Sequence, residues 1–406
     1  MSDIRELTET WTGNSGKEGL SRRSLVRRAA ALGVGAPALA SVLASTEGVQ
    51  ARGSRSTLQD APGDGVIGGT LRVATIGEPP TLDEHQTTAS IVAEITYNMY
   101  ETLFTYDTEY QPIPMLADSH EVSEDGLTHT IRLRQDVPFH NGDLMTADDV
   151  IASIQRWGGI SGVGERLLAA TEELAKVDDH TIEFRLTNPY GTLLVALSHN
   201  TQGCVIYPKS IIDATGEEQL SEFIGTGPYR LAERQADRFI RLERFENYAA
   251  VPGEPNGYGG HKYAYFDQIE FIPVPDEASR VTGLQAGDYH IVLDVSNDQY
   301  EVLKDSSGVI AEILPPTFWD VFFLNWESPM MSNPAMREAF QAALNHEPLM
   351  RAGRGSEEFW QLGPSLMRED GPWYTDAGAD RYNIYDPELA KSKLEEAGYD
   401  GTPLRF

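Results

Sequence analysis

Between Arg134 and Trp157 the chain reads RQDVPFHNGDLMTADDVIASIQRW, which sets a histidine, an asparagine and four acidic residues close together. His140, Asp143, Asp148 and Asp149 are residue types that ligate metals or, as paired carboxylates, transfer protons. Their spacing suits neither task. A helical metal site brings two ligands to one face, as histidines at i and i+4 do, and no such pair is present. Carboxylates that cleave glycosides face each other across about 5–10 Å. The neighbours Asp148 and Asp149, or Glu172 and Glu173, point different ways from a helix. Local structure accounts for every one of the polar residues in the stretch. Asn141-Gly142 is a turn signal after a strand, and Thr146 precedes a helix whose third position is Asp149. That is a capping box with Asp in place of Glu. Asp148 and Asp149 fall in the first turn, where the helix dipole favours each by about 0.3–1 kcal/mol. Val150, Ile151, Ile154 and Trp157 form the apolar face behind them. The stretch reads as scaffold.

The elements around it are legible from their periods. TLRVATIG alternates and ends in Gly77, and Pro79-Pro80 then forces a loop. A helix follows over SIVAEITYNMYETLF, with Ser90 as N-cap and Ile91, Ile95, Met99 and Leu103 on one stripe. THTIRLR, TIEFRL (Thr181–Leu186), RFIRLERF (Arg238–Phe245) and DQIEFIPV (Asp267–Val274) are strands. NPAMREAFQAALNH is a helix. DPELAKSKLEEAG is another, with Asp386 as cap, Pro387 in the first turn and Gly398 at its end. Mixed strands and helices over 406 residues predict an α/β protein of more than one domain.

The formal net charge is −30, and the first 51 residues carry +1 of it, leaving −31 for the remainder. A surface so acidic repels nucleic acid and anionic lipid. One cysteine, Cys204, excludes an intrachain disulfide and a CxxC motif, and it reads as a buried, inert thiol. No motif asks for a metal or a cofactor. The N-terminal stretch SRRSLVRRAAALGVGAPALASVLAS has a basic cluster at Arg22, Arg23, Arg27 and Arg28, then a mild apolar run. The run is too short and too weakly apolar to span a membrane. This is the plan of an export signal, and Arg22-Arg23 resembles the twin-arginine type read by its own translocase. Cleavage before Ser41 or before Ser45 fits equally, and no lipobox cysteine follows. Gly53 to Gly69 is small, polar and rich in Gly and Pro, a flexible leader.

Several segments carry a resemblance. LADSHEVSEDGLTHTIRLRQDVPFHNGDLMTADDVIASIQRW resembles the signature region of the extracellular solute-binding proteins of family 5, the receptors of peptide, oligosaccharide, nickel and related ATP-binding-cassette importers. NMYETLFTYD, GTGPYRL, EASRVTGLQAGDYHIV, NPAMREAFQAALNHEPL and YNIYDPELAKSKLEEAGYDG resemble further family segments in the same order, from about Gly69 to Phe406. One departure is Asn345-His346, where the family usually has Asp-Arg. The resemblance implies a type II periplasmic-binding-protein-like α/β fold, two lobes joined by a hinge with a subdomain inserted in the first. Residues 1–51 would be the signal and 52–68 the leader. Residues 69–111 and 205–292 would form lobe I, 112–204 the inserted subdomain and 293–406 lobe II. TPLRF opens a strand that halts at Phe406, so a C-terminally incomplete lobe II is expected. The carboxylate and arginine that grip a peptide's two ends in the family would lie beyond it.

The resemblance implies a monomeric, exported, non-enzymatic receptor. It would capture a short peptide, in the periplasm or at the outer face of the cell membrane, for a permease and its ATPase. An oligosaccharide, a nickel chelate or an opine-like solute fits the same role. An exported carboxylate-pair hydrolase is the rival from another class, and a peptide chaperone on the same fold is a third reading. Thr87 and Thr88 match a loop that touches ligand in such receptors, though helix capping explains them as well. In PPTFWDVFFLNWE, Phe318 and Trp319 suit an apolar ligand wall or simple core packing. GEPNGYGGHKYAYFD places His261-Lys262 in a Gly-rich loop, read as solvated. WGGISGVG lacks the strand and helix that a dinucleotide site needs.

Overall fold

The computed structural model describes residues 65–314, 319–367, 369, 371 and 373–404. The export signal with Arg22 and Arg23, most of the leader, and Phe318 lie outside the described residues. In chain order the strands are β1 (Thr70–Thr75), β2 (Phe104–Tyr106), β3 (Pro112–Pro114), β4 (Ala117–Val122), β5 (Thr128–Leu133), β6 (Thr171–Asp178), β7 (Thr181–Leu186), β8 (Tyr229–Gln235), β9 (Phe239–Arg244), β10 (Gln268–Pro273) and β11 (Ile291–Val292). The helices used below are α1 (Ser90–Thr96), α2 (Ala147–Ile160), α3 (Gly162–Ala169), α4 (Leu193–Leu197), α5 (Glu277–Ala286), α6 (Pro334–Ala343), α7 (His346–Arg354) and α8 (Pro387–Glu396).

Two sheets organise the first 230 or so described residues. The larger runs β11-β1-β10-β9-β8. β1 lies between β11 and β10 and is parallel to both, whereas β9 is antiparallel to β10 and β8 to β9. The chain crosses from β10 to β11 through α5, which Asp276 caps by accepting from the Ser279 amide. The smaller sheet, β4-β5-β7-β6, is antiparallel throughout. Ile131, Leu133, Ile182, Phe184 and Leu186 alternate inward from it onto α2, whose Val150, Ile154 and Trp157 are fully buried. The larger sheet has its own core, including Val73, Leu242, Ile269, Phe271 and the α1 residue Ile95. The Trp157–Gly164 stretch is a helix-to-helix corner: a Cβ on Gly164 would come within 2.8 Å of the Gly158 Cα, so glycine lets α2 and α3 touch.

The first predicted helix is shorter than its apolar stripe. α1 ends at Thr96, and Ala89, not Ser90, occupies its N-cap. The stripe residues Ile91, Ile95, Met99 and Leu103 are all buried as expected. Asn98 turns its side-chain amide back to the Glu94 and Ile95 carbonyls. Its own carbonyl then accepts from the Tyr229 amide, and that of Met99 from the Gly227 amide. Long-range pairing with the GTGPY segment thus replaces the last helical turns. The Asn333–His346 helix also divides, into α6 and α7, with Leu344 in extended conformation between them.

Candidate binding site at the strand ends

The carboxyl ends of the parallel strands β1, β10 and β11 lie on one edge of the larger sheet, the edge at which open α/β sheets place ligands. The loop from Ile76 to Ala89 leaves β1 there and carries both candidate threonines. Its stiffness comes from beneath. Asp83 is fully buried and pairs with the equally buried Arg156 of α2, Oδ2 to guanidinium at 2.6 Å and Oδ1 at 3.0 Å. Arg156 also donates to the Gly216 and Glu218 carbonyls, and Asp83 accepts from the Leu220 amide. Every face of this ion pair has a partner, the condition under which a buried pair is tolerated.

His85 and Glu84 extend the network. His85 donates through Nε2 to the Val205 carbonyl at 3.0 Å and accepts at Nδ1 from Arg156 at 3.1 Å. Burial brings its pKa down to about 4, against the pull of Asp83, so the ring is neutral. Glu84 accepts a hydrogen bond from Thr96 at 2.6 Å, and burial raises its pKa to about 7 despite that bond. The Tyr207 hydroxyl meets the Glu84 amide at 3.0 Å.

On this base the Thr87 hydroxyl accepts from the Ala89 amide at 3.1 Å and is half-buried, whereas Thr88 is exposed. Thr87 therefore has the local turn-forming job, and Thr88 is exposed to solvent. Trp319 is 53% exposed, and residues 319–325 form no strand. No hydrogen bond or described cavity joins Trp319 to Thr87 or Thr88. The crevice at the ends of β1 and β10, beside Gly77 and Pro273, holds only about 10 Å³, room for one water.

The acidic stretch that opened the sequence has the local structure its pattern predicts. Asp149 accepts from the Thr146 amide and hydroxyl, both at 2.9 Å, and from the Lys209 amide at 2.7 Å. Asp148 pairs with Lys176 at 2.7 Å. His140 accepts from the Gly225 amide and donates to the Gly227 carbonyl, and burial lowers its pKa to about 4. Glu172 and Glu173 lie on strand β6 rather than on a helix. No group of three or more metal-ligating side chains occurs among the described residues. Cys204 is buried and its thiol pKa is raised by burial.

Arg156 is the residue that pattern reading passed over. Its signal was a lone cation between Ile154 and Trp157 on an otherwise apolar helix face, which requires a buried counter-charge.

Comparison with known proteins agrees with this architecture. Residues 111–405 match the model of the bacterial extracellular solute-binding proteins, family 5. The chain belongs to that family. Among its relatives is a probable peptide ABC transporter periplasmic-binding protein, y4tO, of Sinorhizobium fredii, 27% identical over 82% of this chain and 64% of the relative. Another is the glutathione-binding protein GsiB of Pectobacterium atrosepticum, 26% identical over 79% of this chain and 59% of that protein. The chain thus spans about three-fifths of the length of these relatives. The periplasmic binding protein DppA of Helicobacter pylori, in complex with the peptide STSA, superposes with a TM-score of 0.67 at 23% identity, covering 82% of this chain and 67% of that one. The fold is that of the periplasmic binding proteins.

Proposed function

We propose that this chain is the receptor of an ATP-binding-cassette importer. It captures a dipeptide or oligopeptide and delivers it to a membrane permease driven by its ATPase. The observation that carries the reading is the family match over residues 111–405, joined to relatives whose names specify peptide and glutathione. Glutathione is itself a modified tripeptide. In this reading residues 69–111 and 205–292 form lobe I, 112–204 the inserted subdomain and 293–406 the second lobe. The ligand sits between the lobes, with Thr88 at the strand ends offering hydroxyl and backbone groups and Trp319 an apolar surface. Ligand makes contacts only in the closed arrangement and so shifts the population toward it. No covalent step is needed, so the protein binds without turnover, as a monomer.

Export through the twin-arginine translocase to the periplasm or the outer face of the cell membrane completes the proposal. Replacing Arg22 and Arg23 together by lysine is expected to leave the protein inside the cell; undiminished export would overturn the twin-arginine route. The ligand is tested by purifying the full exported protein without refolding, denaturing it and identifying the released small molecules by mass spectrometry. A set of short peptides is the expected result. Release of a sugar, a metal chelate or an opine would keep the receptor role and replace the ligand.

A further inference from the structure

The Gly-rich loop that carries His261 and Lys262 is solvated only in part: residues 252–258 are exposed, whereas Gly259 is buried and His261 and Lys262 are half-buried. It connects β9 to the amino end of β10, whereas the loop that carries Thr87 and Thr88 leaves the carboxyl end of β1. The Gly-rich loop covers a cavity of about 260 Å³, several waters wide and just below the range of drug-sized ligand sites. The cover is held in place. The Tyr258 amide donates to the Tyr106 carbonyl at 2.8 Å, and Gly257, at φ +61°, packs so closely that a Cβ would lie 2.4 Å from the Asp107 carbonyl carbon.

The cavity's charge arrangement is specific. Glu101 lies at its base with a fully buried side chain, and both carboxylate oxygens are already engaged, by the Tyr248 hydroxyl at 2.7 Å and the Thr226 hydroxyl at 2.9 Å. Lys262 stands above it with Nζ 3.7 Å from the nearer oxygen, within electrostatic reach but beyond a hydrogen bond. The chain has seven lysines. Each of the other described ones, Lys176, Lys209, Lys304, Lys391 and Lys393, sits within hydrogen-bond reach of a carboxylate on the surface. Lys262 instead lines the cavity, and its ammonium carries three donors. Beside it the Tyr97 and Tyr258 rings meet edge to face at 5.4 Å, and Met115 and Val205 continue an apolar wall. His199 also lines the cavity, with Nδ1 2.5 Å from the Thr201 carbonyl.

We propose that this cavity is a second ligand site, separate from the strand-end cleft, for a small carboxylate with a flat apolar body. The carboxylate meets Lys262 in a charge-assisted hydrogen bond, and the body lies against the two tyrosines. Benzoate is the probe, and uncharged benzamide its control, each titrated calorimetrically into the full chain. Benzoate is expected to bind saturably and better than benzamide. Lys262→Met is expected to weaken benzoate about tenfold to a hundredfold, the value of one charge-assisted bond. Asn200→Trp, which fills the rim without touching the ion pair, is expected to abolish binding, so the test stands even if the lysine variant unfolds. Peptide binding at the cleft should be unchanged in both variants, which separates this proposal from the receptor reading. Absence of saturable benzoate binding, or equal affinity in wild type and both variants, overturns it.

Discussion

Residues 65–292 and residues 293–404 place their apolar side chains in opposite ways. In the first region both sheets have cores of fully buried aliphatic and aromatic residues, with Trp157, Tyr100, Phe104 and Phe184 inside. In the second, the buried residues are mostly small or flexible, Ala335, Met336, Ala339, Ala342 and Ala390 where α6 meets α8, while Trp319, Phe322, Phe323 and Trp326 face solvent. The two regions also differ in one ion pair, although surface pairs such as Asp148–Lys176 occur in the first region as well. Asp83–Arg156 is sealed in the first region, whereas Arg354–Asp320 in the second lies on the surface. Among the described residues, 293–404 form no strand, so their helices rest on local signals, whereas the cores of the first region lie on strands paired across long sequence separations.

The comparison breaks most directly at the cores. Phe184→Ala should lower unfolding free energy by about 3–5 kcal/mol, whereas Phe323→Ala, at a residue 94% exposed, should change it by less than about 0.5 kcal/mol. Denaturant titration of the two variants measures both; equal effects would refute the division. Next is the pair of ion pairs. Arg156→Met leaves Asp83 buried and unpaired, so a loss of about 3–5 kcal/mol is expected. Asp320→Asn removes a surface pair and should cost under about 1 kcal/mol. A variant of Arg156 as stable as wild type would mean that the loop is not anchored from below.

Glu84 sharpens the picture through pH. Its folded pKa of about 7 exceeds the ordinary 4.5, so the folded state binds more protons between those values and stability falls as pH rises through them. His85 and His140, lowered to about 4, act with the opposite sign: their contribution is present above pH 6.5 and lost as pH falls toward 4. Glu84→Gln should therefore gain on wild type by on the order of 2 kcal/mol at pH 8 relative to pH 4. Melting curves across that range decide it, and a pH-independent difference would contradict the buried carboxyl. The smallest effect is expected at α8, whose cap Asp386 accepts from the Glu388 and Leu389 amides. Asp386→Ala should cost about 1 kcal/mol, read from the loss of helical circular dichroism at elevated temperature.

Much of the fold was legible because its signals are local. TIEFRL occupies Thr181–Leu186 as read, since strict alternation buries Ile182, Phe184 and Leu186 together. The helix at Pro387 carries its cap, its proline and its glycine stop in sequence order. The turn at Asn141 and the helix start at Thr146 were assignable because Asn141–Asp143 and Thr146–Asp149 pair locally, whereas the bonds of His140 to Gly225 and Gly227 and of Asp149 to Lys209 were not legible. Less of the candidate site was legible. Thr88 was named from a resemblance, and the crevice beside its loop admits one water. The Arg156–Asp83 pair spans 73 positions, and nothing in either local sequence names the other.

By itself the sequence determined most element types and the buried residues of strands such as TIEFRL, which depend on spacing within a few residues, the net acidity, which depends on composition, and the resemblance to the family, which depends on ordered motifs. Only the tertiary structure decided where α1 stops, what anchors the Ile76–Ala89 loop and that Lys262 faces a cavity. Each of those depends on groups distant in sequence competing for the same hydrogen bonds. The Gly227 and Tyr229 amides take the carbonyls of Met99 and Asn98. Tyr248 and Thr226 hold the two Glu101 oxygens, and Lys262 stands 3.7 Å from the nearer one. A local pattern states what a residue prefers, but the distant partner that arrives first in the folded chain decides what it does.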